Sequence, residues 1–113
     1  MRTYSIVGMN YIKTEDVVAA LAVGTPVILA REPNNEFDKN AIAVWVNGQK
    51  VGFLPKKQNA ALAAFIDQSG GDWVEPHDGK MAEDSDPFKL ICHKSIPAVF
   101  VRSPNSGYPM VSV

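Results

Sequence analysis

The dipeptide Asn47-Gly48 most strongly constrains the fold of this chain, because it separates two short strand-like segments. Residues 41–46 before it are rich in β-branched and aromatic side chains, and residues 49–54 follow it with a similar length. Asn-Gly suits a two-residue type I′ turn, in which both central residues need a positive φ. The sequence therefore predicts a β-hairpin over residues 41–54.

A polar loop precedes this hairpin, from Pro33 to Asn40, and it contains one aromatic residue, Phe37. Asn and Asp side chains bond nearby backbone groups, so turn architecture with Phe37 packed on the core explains the loop without any ligand. The alternative is a binding surface that the hairpin braces. Residue chemistry alone favours turn architecture.

Other segments predict several short strands and two helices. Strands are predicted over residues 2–7, 26–31, 88–94 and 98–102, with an interruption at Pro97 and a short edge strand near the end of the chain. A short helix is expected after Thr14 as N-cap, ending near Gly24. The clearest helix covers residues 56–67. Its apolar face, expected to pack on the sheet, comprises Leu62, Phe65 and Ile66.

This mixture predicts a mainly β fold with helices, of the α+β class, in which a small bent sheet or partly open barrel carries one clear helix after the central hairpin. A length of 113 residues fits one domain over residues 1–113. Trp45 is expected to pack on the sheet, and Trp73 to cap the barrel.

The acidic residues are unevenly distributed. The chain has a formal net charge of −1, but six of its 12 acidic residues lie within residues 72–86, together with one of its 11 basic residues. The rest of the chain is therefore mildly basic, which permits contact with nucleic acid. Residues 72–86 lack periodicity and predict a long acidic loop.

The sequence lacks the patterns of metal-dependent or nucleotide-dependent catalysis. Cys92, His93 and His77 have no paired metal-ligand spacing, and residues 38–40 lack the other positions of a calcium loop. No phosphate-binding loop, dinucleotide motif or nucleophile elbow is present. We therefore expect a protein without cofactor, metal or enzymatic activity.

A single cysteine, Cys92, excludes an internal disulfide framework and favours a reducing compartment. The first residues contain no apolar stretch of signal-peptide length, and no segment is apolar enough to span a membrane. The expected location is the cytoplasm, without membrane association.

Two motifs resemble those of the HIRAN domain family. Residues 31–44 have the sequence Arg-Glu-Pro-Asn-Asn-Glu-Phe-Asp-Lys-Asn-Ala-Ile-Ala-Val, and residues 51–55 have the sequence Val-Gly-Phe-Leu-Pro. The resemblance extends over residues 6–67, including Val7-Gly8-Met9-Asn10-Tyr11 and the alanine-rich helix. It implies a small, partly open β-barrel of the OB-like or SH3-like kind, in a free-standing bacterial or phage-type member of the family.

The resemblance also implies a function, because HIRAN domains accompany helicase-like repair translocases and the best understood member binds the 3′ end of single-stranded DNA. Tyr11 and Phe37 would stack on bases, and Asp38 would accept a hydrogen bond from the terminal hydroxyl. Asn35 and Asn40 would shape the loop or contact phosphate. The expected nucleic-acid-binding residues are Tyr11, Phe37, Asp38, Asn10, Asn35, Asn40, Lys39, Lys50, Lys56 and Lys57.

The four lysines in this set could contact the phosphates of a bound strand, together with Arg31. The alternative for each of them is a solvated surface position without a ligand. The expected partners are single-stranded DNA or a DNA 3′ end, and a helicase, translocase or other repair protein.

Two positions depart from the DNA-binding member. Asn10 stands where that member has an arginine, and Ile12 stands where it has a second tyrosine, so one bidentate phosphate contact and one stacking ring are missing. These departures favour, as the alternative, a protein-interaction or scaffold domain that keeps the barrel without the DNA site. A nuclease is a more remote third possibility.

Overall fold

The computed structural model describes residues 2–76 and 91–113. In chain order its elements are β1 (Thr3–Ser5), α1 (Glu15–Ala19), β2 (Pro26–Arg31), β3 (Ile42–Val46), β4 (Gln49–Phe53), α2 (Ala60–Ser69), β5 (Gly71–Val74), β6 (Cys92–Arg102) and β7 (Pro109–Ser112). This is the expected α+β class, with a curled sheet and two helices. None of the described helices is long and apolar enough to cross a membrane.

All strand pairs of the sheet are antiparallel, in the order β1-β7-β6-β2-β3-β4, with β5 paired to β6 outside this path. The long strand β6 organises the sheet because it pairs in succession with β5, β2 and β7. A strand shared among three partners must bend, and the sheet curls into a partly open barrel.

The two ends of the sheet meet at one short bridge between Val7 and Phe53. The Val7 N–H donates to the Phe53 carbonyl and the Phe53 N–H donates to the Val7 carbonyl, both at 2.8 Å. Gly52 makes this approach possible, since a Cβ atom there would lie 2.6 Å from Ile6 Cγ2 and 2.7 Å from the Val7 carbonyl oxygen. Glycine is required here for space.

The main core fills the concave side of the sheet. Its largest fully buried side chains include Phe100, Ile6, Leu29, Ile42 and Ile66. A second cluster on the other face of β3 contains Ala30, Ala43 and Trp45. The alternation along β3 thus buries both of its faces, which explains its continuous apolar sequence.

The hairpin prediction is confirmed. β3 and β4 flank Asn47 and Gly48, whose φ angles are 51° and 79°, as a type I′ turn requires. Trp45 is buried, and its ring meets the ring of Trp73 edge to face at 5.1 Å between centroids. The prediction of a packed Trp45 is therefore confirmed as well.

Helix α2 differs from the prediction over residues 56–67, since it covers Ala60–Ser69. Residues 55–58 form a turn in which the Gln58 N–H donates to the Pro55 carbonyl at 3.0 Å. Leu62 and Ile66 are buried as expected, but Phe65 is 53% exposed, so its placement on the core-facing side was wrong.

The short helix α1 also differs from its prediction. It begins after Thr14, which occupies the N-cap position as predicted, but it ends at Ala19. The Thr14 side chain accepts no capping bond, and its hydroxyl donates to the carbonyls of Met9 and Val51. The Arg102 guanidinium donates to the carbonyl of Ala19 at 3.0 Å and thereby satisfies the other end of the helix.

Strand β6 runs through Pro97 without interruption. Pro97 pairs only with Ile28 of β2, because β5 pairs with β6 as far as Ser95 and β7 pairs with it from Val99 onwards. A proline needs no donor on an unpaired side, so the predicted break at this position was wrong.

The prediction of a loop was wrong over residues 72–74, which belong to β5. Residues 77–86 of the predicted loop, and residues 88–90 of the predicted strand, lie outside the described residues. Asp72 pairs across the strands with Lys94 at 2.8 Å, and this carboxylate raises the pKa of the Lys94 ammonium. Both side chains are exposed, so the pair contributes little to stability.

We expect Gly52→Ala to lower the free energy of unfolding by about 2 kcal/mol, because the added methyl group collides with a backbone oxygen that cannot move without opening the bridge. Urea denaturation of both proteins measures the change. Gly71→Ala is the matched control, since nothing lies within 4 Å of the added Cβ. Equal destabilisation by both substitutions would contradict the assigned role of Gly52.

Candidate nucleic-acid interface

The loop between β2 and β3 is built by its own Asn and Asp side chains. Asn35 Oδ1 accepts hydrogen bonds from the backbone N–H groups of Phe37 at 2.9 Å and Asp38 at 3.1 Å. Asp38 Oδ1 accepts from the Asn40 N–H at 2.9 Å. This is the turn architecture expected from the residue types, and it defines where the backbone of Phe37 lies.

Arg31 fastens this loop to helix α2 through its guanidinium group. It is 4% exposed, and its guanidinium donates to the carbonyls of Ala41 at 2.7 Å and Lys39 at 3.1 Å. Its Nε atom also donates to the Asp67 carboxylate of α2 at 2.9 Å. The expectation that Arg31 adds to a phosphate path was therefore wrong, because its donors are occupied and buried.

Phe37 and Tyr11 lie at the surface, where they line one groove. Phe37 is 72% exposed and Tyr11 is 84% exposed. The groove has a volume of about 480 Å³ and is mostly apolar; its lining residues are Tyr11, Ile12, Glu32, Asn35, Phe37, Lys50 and Phe53. Phe37 does not pin the loop to the core, contrary to the interpretation from residue chemistry alone.

Asp38 lies beside this groove, at a smaller pocket of about 190 Å³ that shares Asn35 and Phe53 with it. The Asp38 Oδ2 atom accepts a hydrogen bond from Asn59 Nδ2 at 2.8 Å. Each carboxylate oxygen of Asp38 thus holds one donor and keeps one further lone pair for a ligand.

The lysines of the expected set fall into two groups. Lys50 Nζ contacts Glu32 Oε2 at 2.7 Å and lies 5.4 Å from the centre of the Phe53 ring, whereas Lys56 Nζ donates to the Phe37 carbonyl at 3.1 Å. Lys39 and Lys57 are exposed, and their ammonium groups make no hydrogen bond or ion pair within the described residues.

The structure thus brings six of the ten expected residues to the two adjoining pockets: Tyr11, Asn35, Phe37, Asp38, Lys50 and Lys56. The other four, Asn10, Asn40, Lys39 and Lys57, line neither pocket. Asn10 is exposed next to Tyr11, and Asn40 serves the turn through its backbone.

The unpredicted residues at this surface include Glu32 and Phe53, which line the groove, and Asn59, which contacts Asp38. Glu32 and Phe53 lie within the two motifs, where the alternation of the hairpin could have placed the Phe53 side chain on the loop side. Asn59 directly precedes a run of strong helix formers, which is a helix-start signal that the sequence analysis passed over.

This surface can bind a flat, apolar group and offer it one carboxylate acceptor. Two exposed rings provide stacking faces, and the Lys50–Glu32 pair leaves the groove itself nearly neutral. Among the described residues no group of three His, Cys, Asp or Glu side chains is placed to hold a metal ion.

We expect Arg31→Lys to lower the free energy of unfolding by about 2 kcal/mol, because the donors of an ammonium lie on one nitrogen and cannot reach the two carbonyls and the carboxylate that three separate guanidinium nitrogens contact. Urea denaturation measures this loss. Arg2→Lys, at an exposed position, is the matched control and should change stability by less than about 0.5 kcal/mol. A fully stable Arg31→Lys variant would contradict the fastening role.

Comparison with known proteins gives relatives at the sequence level. Over 42 residues, which are 36% of this chain, the chain is 60% identical to the helicase-like transcription factor of Oryctolagus cuniculus and 55% identical to that of Homo sapiens. It is 31% identical over 97 residues to the Fanconi-associated nuclease 1 homolog of Arabidopsis thaliana. The chain spans only 4% of the first two proteins and 10% of the third.

A solved structure shares the fold. The crystal structure of a protein from Lactobacillus plantarum matches with a TM-score of 0.62 and 25% identity, over 98% of this chain and 87% of that one. The sequence profile of the HIRAN domain matches residues 2–84, which is wider than the resemblance over residues 6–67. HIRAN domains are nucleic-acid-binding modules. With most of its length covered by that profile, this chain belongs to the HIRAN domain family.

Proposed function

We propose that this HIRAN domain binds single-stranded DNA at its 3′ end and has no catalytic activity of its own. The observation that carries the proposal is the pair of exposed aromatic rings, Tyr11 and Phe37, at one groove. Large exposed apolar side chains that share a groove mark an interaction site. A nucleobase fits such a groove because each of its faces can stack on a ring.

The loop architecture supports this assignment. The side chains of Asn35 and Asp38 accept hydrogen bonds from the backbone N–H groups of Phe37 and of residues after it, and Lys56 donates to the Phe37 carbonyl itself. Arg31 holds the end of the loop at Ala41. A ring that is held in solvent by an ordered backbone loses little entropy when a base stacks on it. The loop therefore presents Phe37 ready for contact.

Asp38 is the proposed reader of the terminal hydroxyl. Its carboxylate lies beside the groove and retains acceptor capacity on both oxygens. A hydroxyl group can donate to it, whereas a terminal phosphate brings like charge to the same place. The exposed Lys39 and Lys57 ammonium groups are the proposed contacts for the phosphates that lead away from the end.

The names of the relatives suggest the cellular setting. They are a helicase-like transcription factor and a Fanconi-associated nuclease homolog, and this chain matches only a small part of each. We therefore place this domain in DNA repair or replication, where a helicase, translocase or nuclease on the same or another chain would supply the enzymatic activity.

We expect Phe37→Ala and Tyr11→Ala each to weaken binding of a short single-stranded oligonucleotide ~5- to 150-fold, which corresponds to the loss of one stacked base. Fluorescence anisotropy at low salt provides the dissociation constants. Phe65→Ala is the matched control, because Phe65 is also an exposed aromatic side chain, at 53%, but lies on α2 outside the groove. Equal weakening by Phe65→Ala would argue against this groove.

We expect an oligonucleotide with a 3′-phosphate to bind roughly tenfold more weakly than the same oligonucleotide with a 3′-hydroxyl, because of repulsion by the Asp38 carboxylate. Asp38→Asn keeps the shape and removes the charge, so it should reduce this difference. The same anisotropy assay compares both ends. Equal binding of both ends by the unsubstituted protein would contradict end recognition and would indicate a general single-strand binder.

A protein-interaction module is the second candidate. It is favoured by the near neutrality of the groove, in which Lys50 is paired with Glu32 and Ile12 replaces a ring of the DNA-binding member. The dependence on salt separates the two candidates. DNA binding must weaken steeply as salt rises, since phosphate contacts release counterions, while an apolar peptide contact is nearly insensitive to salt.

A further inference from the structure

We propose that Asn59 is the positioning residue for the Asp38 carboxylate and that it thereby sets the preference of this site for a terminal hydroxyl. The inference deepens the proposed function and rests on it. Asn59 lies on a different element from the loop, directly before helix α2, and outside both motifs of the sequence analysis. Four observations on the described residues support its role.

The first observation is a helix cap that Asn59 does not make. It occupies the N-cap position of α2, where an Asn side chain ordinarily accepts a hydrogen bond from a backbone N–H of the first turn. No such bond is present. The Asn59 amide donates instead to Asp38 Oδ2 at 2.8 Å. The side chain therefore serves the loop rather than its own helix.

The second observation is an unsatisfied atom. Asn59 is only 1% exposed, and its Oδ1 atom is buried without a hydrogen-bond partner. Reversing the amide would not relieve this, because it would place Oδ1 against the carboxylate of Asp38, acceptor against acceptor. An unpaired, buried polar atom costs free energy of folding. Such a local cost, accepted here while the amide holds a carboxylate, is typical of functional sites.

The third observation is that the hydrogen bonds of Asp38 come from two parts of the chain. Its Oδ1 atom accepts from the Asn40 N–H, and its backbone N–H donates to Asn35 Oδ1, so residues of the loop fix the turn. Among the described residues, Asn59 is the donor that holds Oδ2. The rotation of the carboxylate plane, and with it the direction of the remaining lone pairs, depends on Asn59.

The fourth observation concerns charge. Asn59 is a neutral donor, so it orients the Asp38 carboxylate without neutralising it. A lysine or arginine in this position would cancel the negative charge and make a terminal phosphate acceptable. The pairing of a charged acceptor with a neutral, buried donor therefore suits the selection of a hydroxyl and the rejection of a phosphate.

The substitution Asn59→Ser separates the positioning role from a merely structural one. Serine is an equally good N-cap and can restore the bond that α2 lacks, but its shorter side chain cannot reach Asp38 Oδ2. We compare oligonucleotides that end in a 3′-hydroxyl, a 3′-hydrogen or a 3′-phosphate. The preference for hydroxyl over hydrogen should fall roughly 3- to 10-fold, since a well-aligned bond to a charged acceptor is lost.

In the same experiment, affinity for the 3′-hydrogen end should be unchanged, because stacking on Tyr11 and Phe37 does not need Asp38. The melting temperature should be equal to or higher than that of the unsubstituted protein. Gln58→Ser, at the exposed neighbouring position, is the matched control and should preserve every preference. Asn59→Ala is a second variant with the same expected loss of preference, as it removes the donor without adding a new polar group, and α2 loses no cap because the Asn59 side chain makes none.

The outcomes are distinguishable. Retention of the full hydroxyl preference in Asn59→Ser overturns the positioning role while leaving the proposed function intact. A parallel loss of affinity for all three ends, together with a lower melting temperature, assigns Asn59 a structural role only. If the unsubstituted protein itself shows no preference among the ends, the proposed end recognition fails, and the inference fails with it.

Discussion

The buried guanidinium of Arg31 is the interaction on which the rest of this surface depends. It lies at the end of β2, where the chain leaves the sheet, and it reaches both the returning end of the loop at Ala41 and the helix at Asp67. A planar, permanently charged group with five donors can join three elements in this way. The loop stays polar and exposed above it while its base is anchored in the protein.

Closure of the sheet places the second half of the surface. Tyr11 follows β1 in the chain, and Phe37 belongs to the loop before β3, so the two rings are distant in sequence. The backbone bridge between Val7 and Phe53 brings these regions together, and the absence of a side chain on Gly52 permits it. Barrel closure therefore creates the groove, and the groove exists only in the folded chain.

The groove is nearly neutral, whereas exposed side chains outside it carry charge. Lys50 and Glu32 neutralise one another at the groove, while Lys39 and Lys57 are exposed outside it. A neutral groove suits a base, and exposed ammonium groups suit a phosphate backbone that passes outside. The Asp38 carboxylate adds a single negative charge beside the groove, held by the loop on one side and by Asn59, directly before α2, on the other.

The sequence alone determined the elements whose causes are local. Asn47-Gly48 imposed the hairpin, residues 26–31 formed their strand as predicted, and the Asn and Asp side chains of the loop bonded their own backbone. Only the tertiary structure decided what long-range packing controls: the burial of Arg31, the exposure of Phe37 and Phe65, and the continuity of β6 through Pro97. Exposure depends on which distant elements cover a side chain. The same holds for the Asn59 side chain, which lies at the N-cap position of α2 but donates its hydrogen bond to the distant Asp38 carboxylate.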